Sequence, residues 1–183
     1  KKTLDVKPLI TNRVSLQDYQ KIYSDLSNLS SIASILEYSS ENDQKRTIQL
    51  VNRTFEEQRG VIGIIGAGNF TSSTILPNLK KLNADIKYIA SSGGLSSTIM
   101  AKKFGVSNST TDYKEILNDT DVDLVLITTQ HNLHAKIALD VMQAGKSVFV
   151  EKPLALRKED LDQIIEAHNT NNVNVSVGFN RRF

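Results

Sequence analysis

The feature that most constrains this chain is a glycine-containing turn, Gly66-Ala67-Gly68-Asn69-Phe70, which directly follows an apolar run at residues 61–65 and precedes a helical pattern reaching residue 82. A five-residue apolar run is too short for a helix and suits a strand covered on both faces. Leaving such a strand and entering a helix within a few residues demands backbone freedom. Gly66 permits the tight turn, and Gly68 lets the main chain approach whatever lies at the helix front. The unpaired N–H groups and partial positive charge there suit a diphosphate, so the five residues 66–70 are candidate cofactor-binding positions. Thr71 stands where a third small residue is usual, which predicts slightly looser packing of helix on strand.

Beyond this turn the chain alternates short apolar runs at 86–91, 124–128, 147–150 and 173–178 with helical periods at 95–104 and 131–144. Gly105 and Gly145 stand where a left-handed C-terminal cap would stop each helix. Leu133, Ile137 and Val141, then Leu161, Ile164, Ile165 and His168, recur at helical spacing and give each helix one face for a sheet. Repeated βαβ units of this kind predict an α/β fold, a doubly wound parallel sheet of Rossmann type, over residues 60–178. Pro77 should interrupt the first crossover helix, since it cannot donate to the carbonyl of Ser73. Residues 1–59 read as a short helical N-terminal extension built on Leu16, Tyr19, Ile22, Tyr23 and Leu26, with a polar linker at 39–46. The chain starts without Met and stops in mid-phrase at Phe183, so it reads as an internal piece of a longer protein.

A dinucleotide site normally carries an acidic residue about 20 residues past the turn to hold the ribose 2′-hydroxyl. Here Ser91-Ser92-Gly93-Gly94 occupies that place. Serine hydroxyls accept either form and no arginine stands beside them, so NAD and NADP both remain open as cofactor. At the end of the fourth apolar run, Glu151-Lys152-Pro153 places a lysine at the carboxyl edge of the sheet, where ligands bind in open α/β folds. Pro153 restricts the backbone of Lys152 to extended conformations, and the ammonium could steady charge changes on a substrate hydroxyl or carbonyl. A surface turn is the bland alternative. His168, in the last turn of its helix, reads as favourable to the helix dipole and functionally silent.

The glycine turn, the segment Thr128-Thr129-Gln130-His131-Asn132-Leu133-His134, Ala144-Gly145-Lys146 and Glu151-Lys152-Pro153 together resemble the Gfo/Idh/MocA family of glucose-fructose oxidoreductases and inositol dehydrogenases. That resemblance covers residues 60–183. It implies that Lys152 contacts substrate near the nicotinamide and that Thr128, Thr129, His131, His134 and Glu151 line the cofactor cleft, with a packed or capped polar residue near the helix start as the other reading of His134. Gln130 departs from the usual proline and His131 from a frequent asparagine. A second domain after Phe183 is implied as well, with residues 179–183 leading into it and Arg181 and Arg182 facing substrate. Residues 4–11, followed by Val14-Ser15-Leu16 and a helix, are similar to the end of zinc-type medium-chain alcohol dehydrogenases, which suggests a two-module oxidoreductase.

A net charge of +2 without clustering gives no footprint for nucleic acid or an anionic membrane, so a small-molecule substrate is the expected partner. No cysteine occurs, which removes disulfides, thiolate metal sites and cysteine nucleophiles, and no metal is expected. The apolar runs are far shorter than the ~20 residues of a membrane span, and a cytoplasmic setting is expected, with a homo-oligomer through the following domain allowed. Three functions fit: a dehydrogenase of sugar-like or polyol substrates, a glycosidase working by transient oxidation, or a non-catalytic nucleotide-binding module. The chain by itself is expected to bind cofactor without useful turnover.

Overall fold

Short apolar runs bounded by turn residues do form strands in the structure, a computed structural model that describes residues 5–24, 31–38, 45–55 and 60–179. The chain divides into two compact units, the second starting at Lys45. In the first, β1 (Ile10–Ser15), α1 (Tyr19–Ser24) and β2 (Ala33–Glu37) make a β–α–β arrangement whose two strands run parallel. Thr11 Oγ1 donates to the Ala33 carbonyl at 3.0 Å, and Arg13 pairs with Glu37 at 3.0 Å across the strands. The extension is therefore not simply helical. Its helix starts with a tight turn at Leu16–Asp18, where Ser15 Oγ accepts the Gln17 N–H, and Leu26 lies outside the described residues.

The second unit begins at Lys45, earlier than the expected boundary at residue 60. Strand β3 (Thr47–Gln49) runs antiparallel to β6 (Asn108–Thr110) and closes one edge of the sheet. Arg46 reinforces the joint, pairing with Asp112 at 2.6 Å while its carbonyl accepts the Thr111 N–H. The remaining strands are β4 (Ile62–Ile65), β5 (Ile86–Ala90), β7 (Leu124–Ile127), β8 (Ser147–Glu151) and β9 (Val175–Gly178), all parallel. Their order, β3-β6-β5-β4-β7-β8-β9, reverses direction at β4. A strand pair diverging at such a switch point leaves a crevice at its carboxyl end, and β4 carries the glycine turn there.

Alternate residues of the sheet feed two cores. Val61, Ile65, Val125, Ile127, Val148 and Val150 pack with α4 (Lys114–Asn118), α5 (His131–Gln143) and α6 (Lys158–Asn171). Ile62, Ile64, Ile89 and Leu126 pack with α2 (Leu76–Lys81) and α3 (Leu95–Phe104). Cover by helices is uneven: beside α2, an apolar groove is lined by Ile62, Leu124, Leu126 and Phe149 from the sheet and by Ile75 and Leu79. The helical stripes are narrower than their spacing predicts, because Leu133, Leu161 and Ile165 are exposed while Ile137, Val141 and Ile164 are buried. Gly105 and Gly145 both cap their helices at φ +72°, as expected. His168 finds its partner in the Val173 carbonyl, 2.9 Å from Nδ1, just past the cap residue Asn172.

Pro77 is accommodated by a wide turn over Thr71–Ile75, closed by the Leu76 N–H bonding five residues back to the Thr71 carbonyl. Hydroxyls serve the loosened backbone: Ser72 and Ser73 both donate to the Asn69 carbonyl, and the Asn78 amide donates to the Thr74 carbonyl. A one-residue insertion in helical pitch is a recognised way of absorbing an interrupted ladder. At the amino edge of the sheet, Lys146 is buried and donates to the carbonyls of Asp119 and Val122 at 2.7 and 2.8 Å, with burial lowering its pKa. Lys146 is thus a structural tie away from the carboxyl edge. No helix among the described residues is long and apolar enough to cross a membrane.

Candidate functional site

Parallel pairing aligns Ile65 with Ala90 and with Ile127, and Ile127 with Val150, so the next residues along each strand, Gly66, Ser91, Thr128 and Glu151, form one row at the carboxyl edge. Lys152 follows immediately. The sheet therefore gathers the candidate residues without any side chain having to reach for another.

The turn is held by hydroxyls. Thr71 Oγ1 and Thr128 Oγ1 lie 2.9 and 3.1 Å from the Gly66 carbonyl and 2.7 Å from each other, so with one proton apiece one hydroxyl donates to the carbonyl and the other donates to its neighbour. Thr71 is completely buried. Far from loosening the packing, it uses its hydroxyl to tie the helix front to two strands. At Gly66, φ is +117°, and a Cβ there would stand 2.7 Å from the carbonyl carbon and oxygen of Thr128. Only glycine meets both conditions.

Gly68 is different, since a Cβ on it would meet nothing within 4 Å. Its carbonyl accepts the first helical bond, from the Ser72 N–H at 3.1 Å, so the amides of Asn69, Phe70 and Thr71 precede the ladder and point out of the helix front. Open space faced by such amides is what a diphosphate needs, and the residues fit the cofactor that the turn implied.

The remaining candidates divide by environment. Ser91 Oγ donates to Ser97 Oγ at 2.9 Å and accepts from Ser96 Oγ at 3.2 Å, so it caps the first turn of α3 and continues through Ser97 to the hydroxyl of Ser109. Ser92 is exposed and makes no side-chain hydrogen bond among the described residues. Thr128 and Thr129 are both half-buried, the first with its hydroxyl on the turn and the second with its carbonyl 3.1 Å from His134 Nε2. His134 is fully buried, its Nδ1 2.8 Å from the Pro153 carbonyl, so it does not line the cleft as the sequence suggested. His131 is exposed at the front of α5, edge-on to His134 at 5.5 Å. Glu151 is half-buried and turned along the sheet, its Oε1 2.8 Å from where a Cβ on Gly178 would stand. Lys152 is exposed, makes no ion pair among the described residues, and joins Pro153 through a cis peptide bond. Arg181 and Arg182 lie outside the described residues. No sequence signal links Thr71 with Thr128, because only the fold sets residues 57 positions apart on one carbonyl.

A parallel sheet reversing at β4, with a glycine turn that leaves room for a diphosphate, defines a dinucleotide-binding domain. The family model described as Oxidoreductase family, NAD-binding Rossmann fold, that of Gfo/Idh/MocA, matches residues 61–179, and the chain belongs to this family. Myo-inositol 2-dehydrogenase of Thermotoga maritima is 36% identical over 123 residues, 67% of this chain and 36% of that protein. Levoglucosan dehydrogenase of Pseudarthrobacter phenanthrenivorans is 40% identical over 82 residues, 45% of this chain and 21% of its own length. A shorter match, 50% over 54 residues, covers 30% of this chain and 12% of an alpha-N-acetylgalactosaminidase of Shewanella oneidensis. Among solved structures, levoglucosan dehydrogenase in complex with NADH superposes with a TM-score of 0.60 at 32% identity, covering 67% of this chain and 35% of that one. This chain thus spans about a third of the length of its first relative.

Proposed function

We propose that this chain is the cofactor-holding part of a nicotinamide-dependent oxidoreductase acting at a hydroxyl-bearing carbon of a sugar-like or polyol substrate. The observation that carries this reading is the open space at Gly68, faced by helix-front amides and sharing the carboxyl edge with Lys152. A bound nicotinamide supplies the hydride chemistry. What the chain contributes is orientation: the amides of residues 69–71 hold the diphosphate, and the Thr71–Thr128 hydroxyl pair keeps the turn from yielding. The ammonium of Lys152 donates to the substrate oxygen and steadies the charge that develops there. In the full-length protein, Lys152→Ala should lower kcat at least a hundredfold and leave the cofactor Kd within threefold; unchanged turnover would remove the lysine from the reaction.

At the adenosine end we read a pocket that takes NAD or NADP. Support comes from the lack of a carboxylate at residues 91–94 and from Ser91 being engaged in capping α3. Dissociation constants for the two should lie within about tenfold, and a large preference for NAD refutes the reading. The short match to an alpha-N-acetylgalactosaminidase favours one alternative, glycoside cleavage through transient oxidation. Net absorbance change at the nicotinamide band during turnover separates them, since the glycosidase returns its cofactor unchanged. The front β–α–β unit is consistent with the closing part of an alcohol-dehydrogenase-like module, and loss of a zinc-dependent activity on deleting the sequence upstream of it would test that origin.

A further inference from the structure

His134 is the most completely enclosed titratable side chain near the site, and its surroundings are specific. Both ring nitrogens face main-chain carbonyls, Pro153 at 2.8 Å from Nδ1 and Thr129 at 3.1 Å from Nε2. Carbonyl oxygens only accept, so a ring nitrogen that bonds one must carry a proton, and the shorter contact assigns a proton to Nδ1, with Nε2 lying against the Thr129 carbonyl. The two carbonyls belong to different loops. Thr129 follows Thr128, whose hydroxyl grips the Gly66 carbonyl; Pro153 follows Lys152, whose own side chain has no ion pair among the described residues. A continuous physical path thus runs from the phosphate turn through Thr128, Thr129, His134 and Pro153 to the backbone of Lys152.

We propose that His134 is a positioning residue for Lys152, setting the height of that lysine above the sheet relative to the phosphate turn. The proposal rests on the reading of Lys152 as the group that meets substrate. Nothing else among the described side chains hydrogen-bonds residues 152–153, so the register of β8 and this one imidazole fix where the ammonium starts. Packing alone would ask only for an apolar side chain at this depth, beside Ala135 and Ile137. An imidazole with both nitrogens on loop carbonyls does more than fill space.

A double-mutant cycle in the full-length protein tests this, because residues that act through one another lose additivity. His134→Leu fills the site but leaves the Pro153 carbonyl without its donor; single-turnover hydride transfer should slow at least tenfold, with the cofactor Kd within threefold. His134→Gln, whose amide can still donate, should recover at least threefold of that loss and also serves if the leucine variant does not fold. In the K152A background, either substitution should change the rate less than twofold. Losses that multiply in that background, or a leucine variant with wild-type rate, overturn the proposal. Wild-type turnover by K152A itself overturns the reading of Lys152, a result visible before position 134 is touched. Independently, the ring N–H of His134 in the 183-residue chain should exchange with solvent far more slowly than that of exposed His131, and equal exchange removes the contact.

Discussion

Gly66 and Gly68 sit two residues apart, yet substitution should separate folding from binding. At Gly68 an alanine meets open space and no positive φ, so its fold effects are small and opposed. Losing glycine at the residue that opens a helix costs about 0.5–1 kcal/mol, while the stiffer unfolded chain returns about 0.4–1 kcal/mol. Net stability should therefore stay within about 1 kcal/mol of the parent. The new methyl, however, projects into the space assigned to the diphosphate. Forfeiting one charge-assisted amide bond, about 1.5–3 kcal/mol, weakens binding roughly 10- to 150-fold. Gly66→Ala presents the reverse balance. A side chain at φ +117° with its Cβ 2.7 Å from the Thr128 backbone should destabilise by about 2–4 kcal/mol. Urea unfolding followed by circular dichroism reads the first quantity, and NADH fluorescence titration of the 183-residue chain reads the second. If G68A binds NADH within threefold of the unaltered chain, or if the unaltered chain binds none, the assignment of the diphosphate to this turn is wrong.

Two further outcomes follow from the hydroxyl lock and the amino-edge ion cluster. Thr71→Val and Thr128→Val should each cost about 1 kcal/mol, and the double variant should exceed their sum by about another 1 kcal/mol, because only then is the Gly66 carbonyl without a donor. Lys87 bonds Asp119 and Asp121 beside Tyr88, and the cluster is mostly buried. Burial alone would raise the Asp119 pKa, but bonds from Lys87, Tyr88 and the Asp121 amide outweigh it and hold the carboxyl below its usual range. Its stabilising contribution is present above about pH 4 and is lost as pH falls through the lowered folded value. For Lys87, burial would lower the pKa, yet its two carboxylate partners raise it, so its contribution holds below about pH 10.4 and fades as pH rises further. Lys87→Met should cost roughly 3 kcal/mol at neutral pH and flatten both shoulders of a stability–pH curve.

The parts of this fold legible in sequence are those where one residue property decides the outcome. Continuous apolar runs give β4, β7 and β8, and a glycine after the last apolar position ends α3 and α5. Strand β6 escapes such reading because Asn108, Ser109 and Thr110 are polar yet buried, their hydroxyls answered by Thr98, Ser97 and the Asp112 backbone. With β6 hidden, its neighbour β3 had no visible partner and its approach looked like linker. For His134 the signal existed: it shares the stripe of Ile137, Ala138 and Val141, which places it in the interior.

Strand β3 has a practical consequence for anyone excising this domain. Cutting at residue 60, where the family match suggests, would discard residues 45–55 and bare the outer rim of β6 with its main-chain donors and acceptors unanswered. Such a rim invites pairing with other molecules. A piece starting at residue 45 should stay dispersed at concentrations where one starting at residue 60 forms larger species in light scattering.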